Sequence, residues 1–166
     1  WSRGLGDVYK RQITYSDGSR YRGNFVDFRR HGQGVWEGQD GYRYVGAYEN
    51  DMFHGEGGYT WPDGSLYVGA FDHHMIHGRG RLTFPNGSRY CGDFVDDARH
   101  GQGVHTWQDG RRYEGAYEND MKHGQGVYTW PDGRRYEGDF VKGAAHGYGA
   151  FRKDRDWWLG SFETVS

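Results

Sequence analysis

Cysteine occurs once, at Cys91, so no internal disulfide can staple this chain, and the usage fits a reducing compartment. No apolar run approaches the roughly 20 residues that a membrane-spanning helix needs. Neither sign of charge is in surplus. The formal net charge is -2, which leaves no global basic field to hold nucleic acid. Hydrophobic residues make up only 34%, too few to fill a thick two-layer core. Stretches free of glycine, proline and turn signals are too short to read as helices. Catalytic patterns are lacking too. The glycines form no phosphate loop ahead of a helix, and no Ser/His/Asp or Cys/His set stands apart from the rest.

What is present is glycine, at 30 of 166 residues, beside aromatics at 18%. Disorder does not fit, because a disordered chain lacks both aromatics and a strict period. Here the period is strict. Tyr21, Tyr44, Tyr67, Tyr90, Tyr113 and Tyr136 stand 23 residues apart. Glycine follows two residues after each, as in Gly115, and a second ring two further on, as in Phe25 or Tyr117. A histidine falls ten residues after each tyrosine, from His31 to His146, and opens a His-Gly-x-Gly run. Asp-Gly or Asn-Gly closes the unit, as at Asp63-Gly64, Asn86-Gly87 and Asp132-Gly133.

A period of this length means stacked supersecondary units. Tyr-x-Gly-x-Phe alternates with period two, so its rings and glycine share one face of a strand. A polar loop is expected next, such as Glu118 to Lys122, and His-Gly-x-Gly then begins a second strand. Asp-Gly reads as the tight turn. The expected fold is all-β: an elongated single layer of antiparallel hairpins, one per 23-residue unit, with about 14 strands and a length on the order of 65 Å. Strand twist is expected to curl it into a trough. Residues 1–12 stand outside the frame as a non-repeat N-terminal segment. The array occupies 13–166, with six near-complete copies over 21–157 and partial ends.

These motifs resemble the MORN repeat (membrane occupation and recognition nexus). Tyr-x-Gly-x-Phe/Tyr, His-Gly-x-Gly and Asp-Gly recur in register over about residues 13–162. The resemblance departs from the pattern at 1–12, at Trp36-Glu37-Gly38 and in the shortened last unit. It implies an antiparallel ribbon that acts as a non-catalytic scaffold, some members holding a partner helix along the groove. It also implies three alternatives: a peripheral phospholipid-binding module, a dimer, or the regulatory arm of a longer enzyme such as a phosphatidylinositol phosphate kinase. The expected location is cytoplasmic, at most peripheral at a membrane or the cytoskeleton.

The residues themselves divide into framework and candidates. Rings such as Tyr113 and Tyr117 are expected to cover neighbouring glycine backbone. Tyr59, Trp61, Phe84, Trp107, Tyr128 and Trp130, near the strand ends, are the candidate contacts for a protein partner, a peptide or a helix. Arg111, Arg112, Arg134 and Arg135 form a candidate basic rim for an anionic phospholipid. Each such charge is worth about 1 kcal/mol at a membrane, and an acidic edge opposes them, so attachment would be marginal. The ladder histidines are not expected to share a metal. Equivalent positions lie two strands apart, roughly 9.6 Å, too far for ligands of one zinc. No cofactor is expected. Exposed terminal strands point to end-to-end association of two copies. Specificity is expected in what varies: the loop Asp120 to Lys122, Trp130, and the residues after Asp132-Gly133.

Overall fold

The computed structural model describes residues 8–162. It has no helix among them and fourteen antiparallel strands, so the all-β single-layer hairpin array is what forms. The chain divides into two compact units at Pro85/Asn86. The first holds β1 (Tyr9–Thr14), β2 (Arg20–Val26), β3 (Arg29–Glu37), β4 (Arg43–Glu49), β5 (Met52–Thr60), β6 (Leu66–Asp72) and β7 (Met75–Thr83). Each strand pairs with the one that follows it. The second holds β8 (Arg89–Val95), β9 (Ala98–Thr106), β10 (Arg112–Glu118), β11 (Met121–Thr129), β12 (Arg135–Val141), β13 (Ala144–Lys153) and β14 (Asp156–Phe162), paired in the same way. Of the N-terminal segment 1–12, residues 1–7 lie outside the described residues, and Tyr9 to Gln12 belong to β1.

The turns reverse the sequence expectation. The polar stretch after the first strand is not a five-residue loop. It is a two-residue turn, Asn119-Asp120, with φ of 47° and 67°. Asn50-Asp51 and Asp96-Asp97 repeat it. Two successive left-handed residues are what a type I′ hairpin requires, and Asn and Asp tolerate that region better than most side chains. Met121 and Lys122 therefore lie in β11. Asp-Gly is the looser connection. In Trp130 to Arg134, the Gly133 amide donates to the Trp130 carbonyl at 3.0 Å, and the Trp130 amide to the Arg134 carbonyl at 2.8 Å. A three-residue loop with glycine in the left-handed region results, and the Asp132 carboxylate accepts the Arg134 amide.

One face of the layer carries the core. Tyr21, Tyr44 and Tyr67 in the first unit, and Tyr90 and Tyr113 in the second, are fully buried. Each ring lies over two facing glycines. Tyr113, for example, sits on Gly115 and Gly126, where an added Cβ would come within 2.7 Å of its hydroxyl oxygen. Each hydroxyl donates to a backbone carbonyl three residues on: Tyr44 to Ala47 at 2.7 Å, Tyr113 to Ala116 at 2.8 Å. That carbonyl sits where the register slips, between Gly115 and Tyr117 in β10. The ring therefore covers the bulge and satisfies it. Burial pushes the Tyr44, Tyr67, Tyr90 and Tyr113 hydroxyls above their ordinary pKa, which keeps them neutral donors. The second ring of each motif meets the first edge-on, Tyr44 with Tyr48 at 5.2 Å and Tyr113 with Tyr117 at 5.2 Å. It also meets the tyrosine of a neighbouring repeat, as Phe140 meets Tyr113 at 4.9 Å. Such pairs add about 0.5–1.5 kcal/mol each beyond their burial.

Candidate binding face

Strand register decides which side chains share the ring face. In the second unit Tyr113 is opposite both His105 and Tyr128, and Tyr136 is opposite both Tyr128 and Phe151. A parallel row pairs Tyr117 with Lys122 and Phe140 with Ala145. Trp107 and Trp130 extend the first row into the connections after β9 and β11 rather than standing on the strands. Trp107 stacks on His105 at 4.0 Å and lies 5.7 Å from Tyr128. Tyr128 meets Trp130 at 4.7 Å, and Trp130 meets Phe151 at 5.9 Å. His105 is buried, whereas Trp107, Tyr128, Trp130 and Phe151 remain only half-buried. Tyr128, Trp130, Tyr136, Phe140 and Phe151 surround an open pocket of about 390 Å³ with Lys122 on its wall.

In the first unit Tyr59 and Trp61 meet at 4.8 Å, next to Phe53, which stacks on Tyr44 at 3.8 Å. Phe84 is half-buried beyond the end of β7. The structure thus gathers Trp107, Tyr128 and Trp130 into one cluster, and Tyr59 with Trp61 into another. His105, Lys122 and Phe151 belong to the first cluster; His105 and Phe151 were not among the sequence candidates, and Lys122 was expected in a variable loop rather than on a strand. Counting in twos back from Tyr128 reaches Lys122, but only once β11 is known to begin at Met121.

The four candidate arginines do not form one rim. Arg111 and Arg134 sit at the turns, each bonded to the turn carboxylate, Asp109 or Asp132, at 2.7 Å. Each guanidinium also lies 5.4 Å from a tryptophan ring centre, Trp107 or Trp130. Arg112 and Arg135 stand one residue on, on the opposite face, where they hold Glu114 at 2.7 Å and Glu137 at 3.0 Å. All four charges are thus locally balanced. The ladder histidines also reach carboxylates: His54 lies 3.3 Å from both Glu49 and Asp72, and His123 3.5 Å from Glu118. Among the described residues no three His, Cys, Asp or Glu side chains are placed to hold one metal ion.

Arg99 occupies the ring face between Tyr90 and Tyr117, at 5.7 and 5.3 Å from their centres, and bonds Asp120 at 2.8 Å. Its guanidinium also reaches the His105 Nδ1 at 3.3 Å. Burial first, then the positive charge of Arg99, brings His105 down from 6.5 to about 4. The folded ring is therefore neutral where the unfolded one takes a proton. Stability contributed by His105 is full above pH 6.5 and is lost as pH falls from there to about 4. Urea midpoints measured across that window should fall in wild type. The step should shrink in His105→Tyr, which fits because tyrosine occupies the same place in two other repeats, at Tyr59 and Tyr128. What remains includes the share of His74, whose pKa burial also lowers.

A single-layer hairpin array with a ring-lined face defines the class, that of a repeat protein. The MORN repeat profile matches residues 21–41, 44–66, 67–89, 90–111, 113–134 and 136–154, and the chain belongs to the MORN repeat family. Among curated proteins none matches it. Among solved structures it resembles the SAS-4 (dCPAP) TCP domain of Drosophila melanogaster, solved in complex with a proline-rich motif of Ana2 (dSTIL). The identity is 13%, over 92% of this chain and 90% of that one, with a TM-score of 0.53. That likeness speaks to fold alone. The TCP10 domain of Danio rerio CPAP aligns at 12% identity over 86% of this chain and 76% of that one, with a TM-score of 0.32.

Proposed function

We propose that this chain is a non-catalytic scaffold that holds an extended, proline-rich segment of a partner protein against the ring face of its second unit. The observation that carries the reading is the half-buried row Trp107, Tyr128, Trp130 and Phe151 beside an open pocket. Aromatic rings of this kind, partly wet and rigid, are the usual energetic anchors of protein interfaces. Polyproline segments dock into aromatic-lined grooves at low entropic cost, because their backbone is already extended. The Drosophila TCP domain, which has a similar fold and binds a proline-rich motif, makes this the first partner class to test. No observation favours the phospholipid reading in the same way, since Arg111, Arg112, Arg134 and Arg135 each hold a carboxylate.

Calorimetric titration with a panel of synthetic proline-rich peptides tests it. Replacing Trp107 and Trp130 together by alanine should weaken the best binder by about a thousandfold, since central anchors each carry about 2 kcal/mol or more. A double variant that binds as wild type does, or a panel with no binder, overturns the reading.

A further inference from the structure

Lys122 is a cation without the carboxylate that its position in the repeat elsewhere possesses. The equivalent residue is Arg30 in one repeat and Arg99 in another. Each of those bonds an aspartate 21 residues on, at the second place of the next tight turn: Arg30 to Asp51 at 3.2 Å and Arg99 to Asp120 at 2.8 Å. In each case the aspartate amide also donates to the arginine's own carbonyl, at 2.9 and 3.0 Å. Around Lys122 the backbone is the same, with the Gly143 amide on the Lys122 carbonyl at 2.9 Å. The side chain is missing, because the turn residue is Gly143. A Cβ there would meet nothing within 4 Å, and Gly143 lines the open pocket.

The ammonium faces rings instead. Its nitrogen lies 4.7 Å from the centre of Tyr128 and between 5.5 and 5.7 Å from Tyr113, Trp107 and Phe140. Ring faces attract a cation but accept few of its hydrogen bonds, and an ammonium carries three donors. Among the described residues no carboxylate lies within ion-pair distance of it. Arg111 and Arg99 add positive charge nearby, so the site favours an anion from outside. Nor is the lysine needed for the fold, since the same place is taken by Phe53 and Ile76 in the first unit.

We infer that Lys122 and the gap at Gly143 form a subsite for the carboxylate of an Asp or Glu in the bound partner segment, with the adjoining apolar side chain seated among Trp130, Phe140 and Phe151. The partner's acid takes the place that Asp120 holds against Arg99. The inference rests on the ring face of the second unit being the binding face, and it narrows the partner to a segment in which an acidic residue stands beside a proline or another apolar one.

The probe is a displayed random-peptide library selected against the whole chain, with selected peptides resynthesised as acid and amide forms. Peptides that depend on Trp130 should share an acidic residue, and changing it to the amide should weaken binding about tenfold. That penalty should disappear in Lys122→Met. In Gly143→Asp, which supplies the carboxylate internally as Asp120 does, acidic peptides should lose affinity to a similar extent, with a modest loss of thermal stability because the backbone there is left-handed, φ 88°. Trp130-dependent peptides that bind equally as acid and amide overturn the subsite and leave the ring-face reading standing. Peptides indifferent to Trp130→Ala overturn both.

Discussion

Gly57→Ala should destabilise the first unit by about 3 kcal/mol, whereas Gly58→Ala, its immediate neighbour, should change stability by less than about 0.5 kcal/mol. The two glycines point to opposite faces of β5. A Cβ on Gly57 would stand 2.6 Å from the Tyr44 hydroxyl oxygen and 2.7 Å from its ring. The ring has nowhere to go. It is fully buried, stacked on Phe53 at 3.8 Å, edge-on to Phe71 at 5.1 Å, and tied by its hydroxyl to Ala47. Backbone lies just beyond, since a Cβ on the facing Gly46 would be 2.5 Å from the Gly57 Cα. A Cβ on Gly58 would meet nothing closer than 3.6 Å, and its φ is ordinary. Urea unfolding of the two variants measures the difference. Equal midpoints would mean that the ring does not lock onto the glycine pair.

Removing the ring itself should cost as much. Tyr113→Ala is expected to lose about 4 kcal/mol, in the range for deleting a buried aromatic side chain. It removes the cover over Gly115 and Gly126, the edge contacts with Tyr117 and Phe140, and one face of the cage around Lys122. Tyr113→Phe isolates the hydroxyl. It keeps the ring and leaves the Ala116 carbonyl without its 2.8 Å donor, for a loss of about 1 kcal/mol. Tyr117→Phe is the contrast. That hydroxyl is buried with no hydrogen-bond partner among the described residues, and burial pushes its pKa up to about 12. Phenylalanine already occupies the place in four other repeats, as in Phe94 and Phe140. Its removal should be neutral or stabilising by up to about 1 kcal/mol. A Tyr117→Phe loss as large as that of Tyr113→Phe would show that the two hydroxyls are not distinguished by their partners. Since stability in repeat arrays is close to a sum of nearest-neighbour terms, each change should act mainly on its own repeat and those beside it.

Most of the fold is legible in the spacing of a few residue types. Tyrosine and glycine two apart say that ring and bare backbone share a face, and the 23-residue beat says that this contact recurs from hairpin to hairpin. The turns are less legible. Asp-Gly is a strong two-residue hairpin signal in isolation, yet here it closes a three-residue loop, and the two-residue turn falls at Asn119-Asp120. Both turn types need the left-handed region, at Gly133 in one and at Asn119 and Asp120 in the other, and Gly, Asn and Asp all tolerate it, so composition alone does not choose between them. The candidate site divides in the same way. Trp107, Tyr128 and Trp130 follow from in-frame counting. Lys122 reads as a loop residue until the shorter turn places it on β11, facing Tyr117.

The sequence by itself determined the hairpin period, the strand faces, and that each tyrosine shares a face with the glycine two residues on, because these depend on residues two apart along one strand. Only the tertiary structure decided that Lys122 stands opposite a missing carboxylate. That relation joins residues 21 apart, Lys122 and Gly143, across the turn between successive hairpins. It exists only because the bulge beside each tyrosine sets the register in which those turns meet.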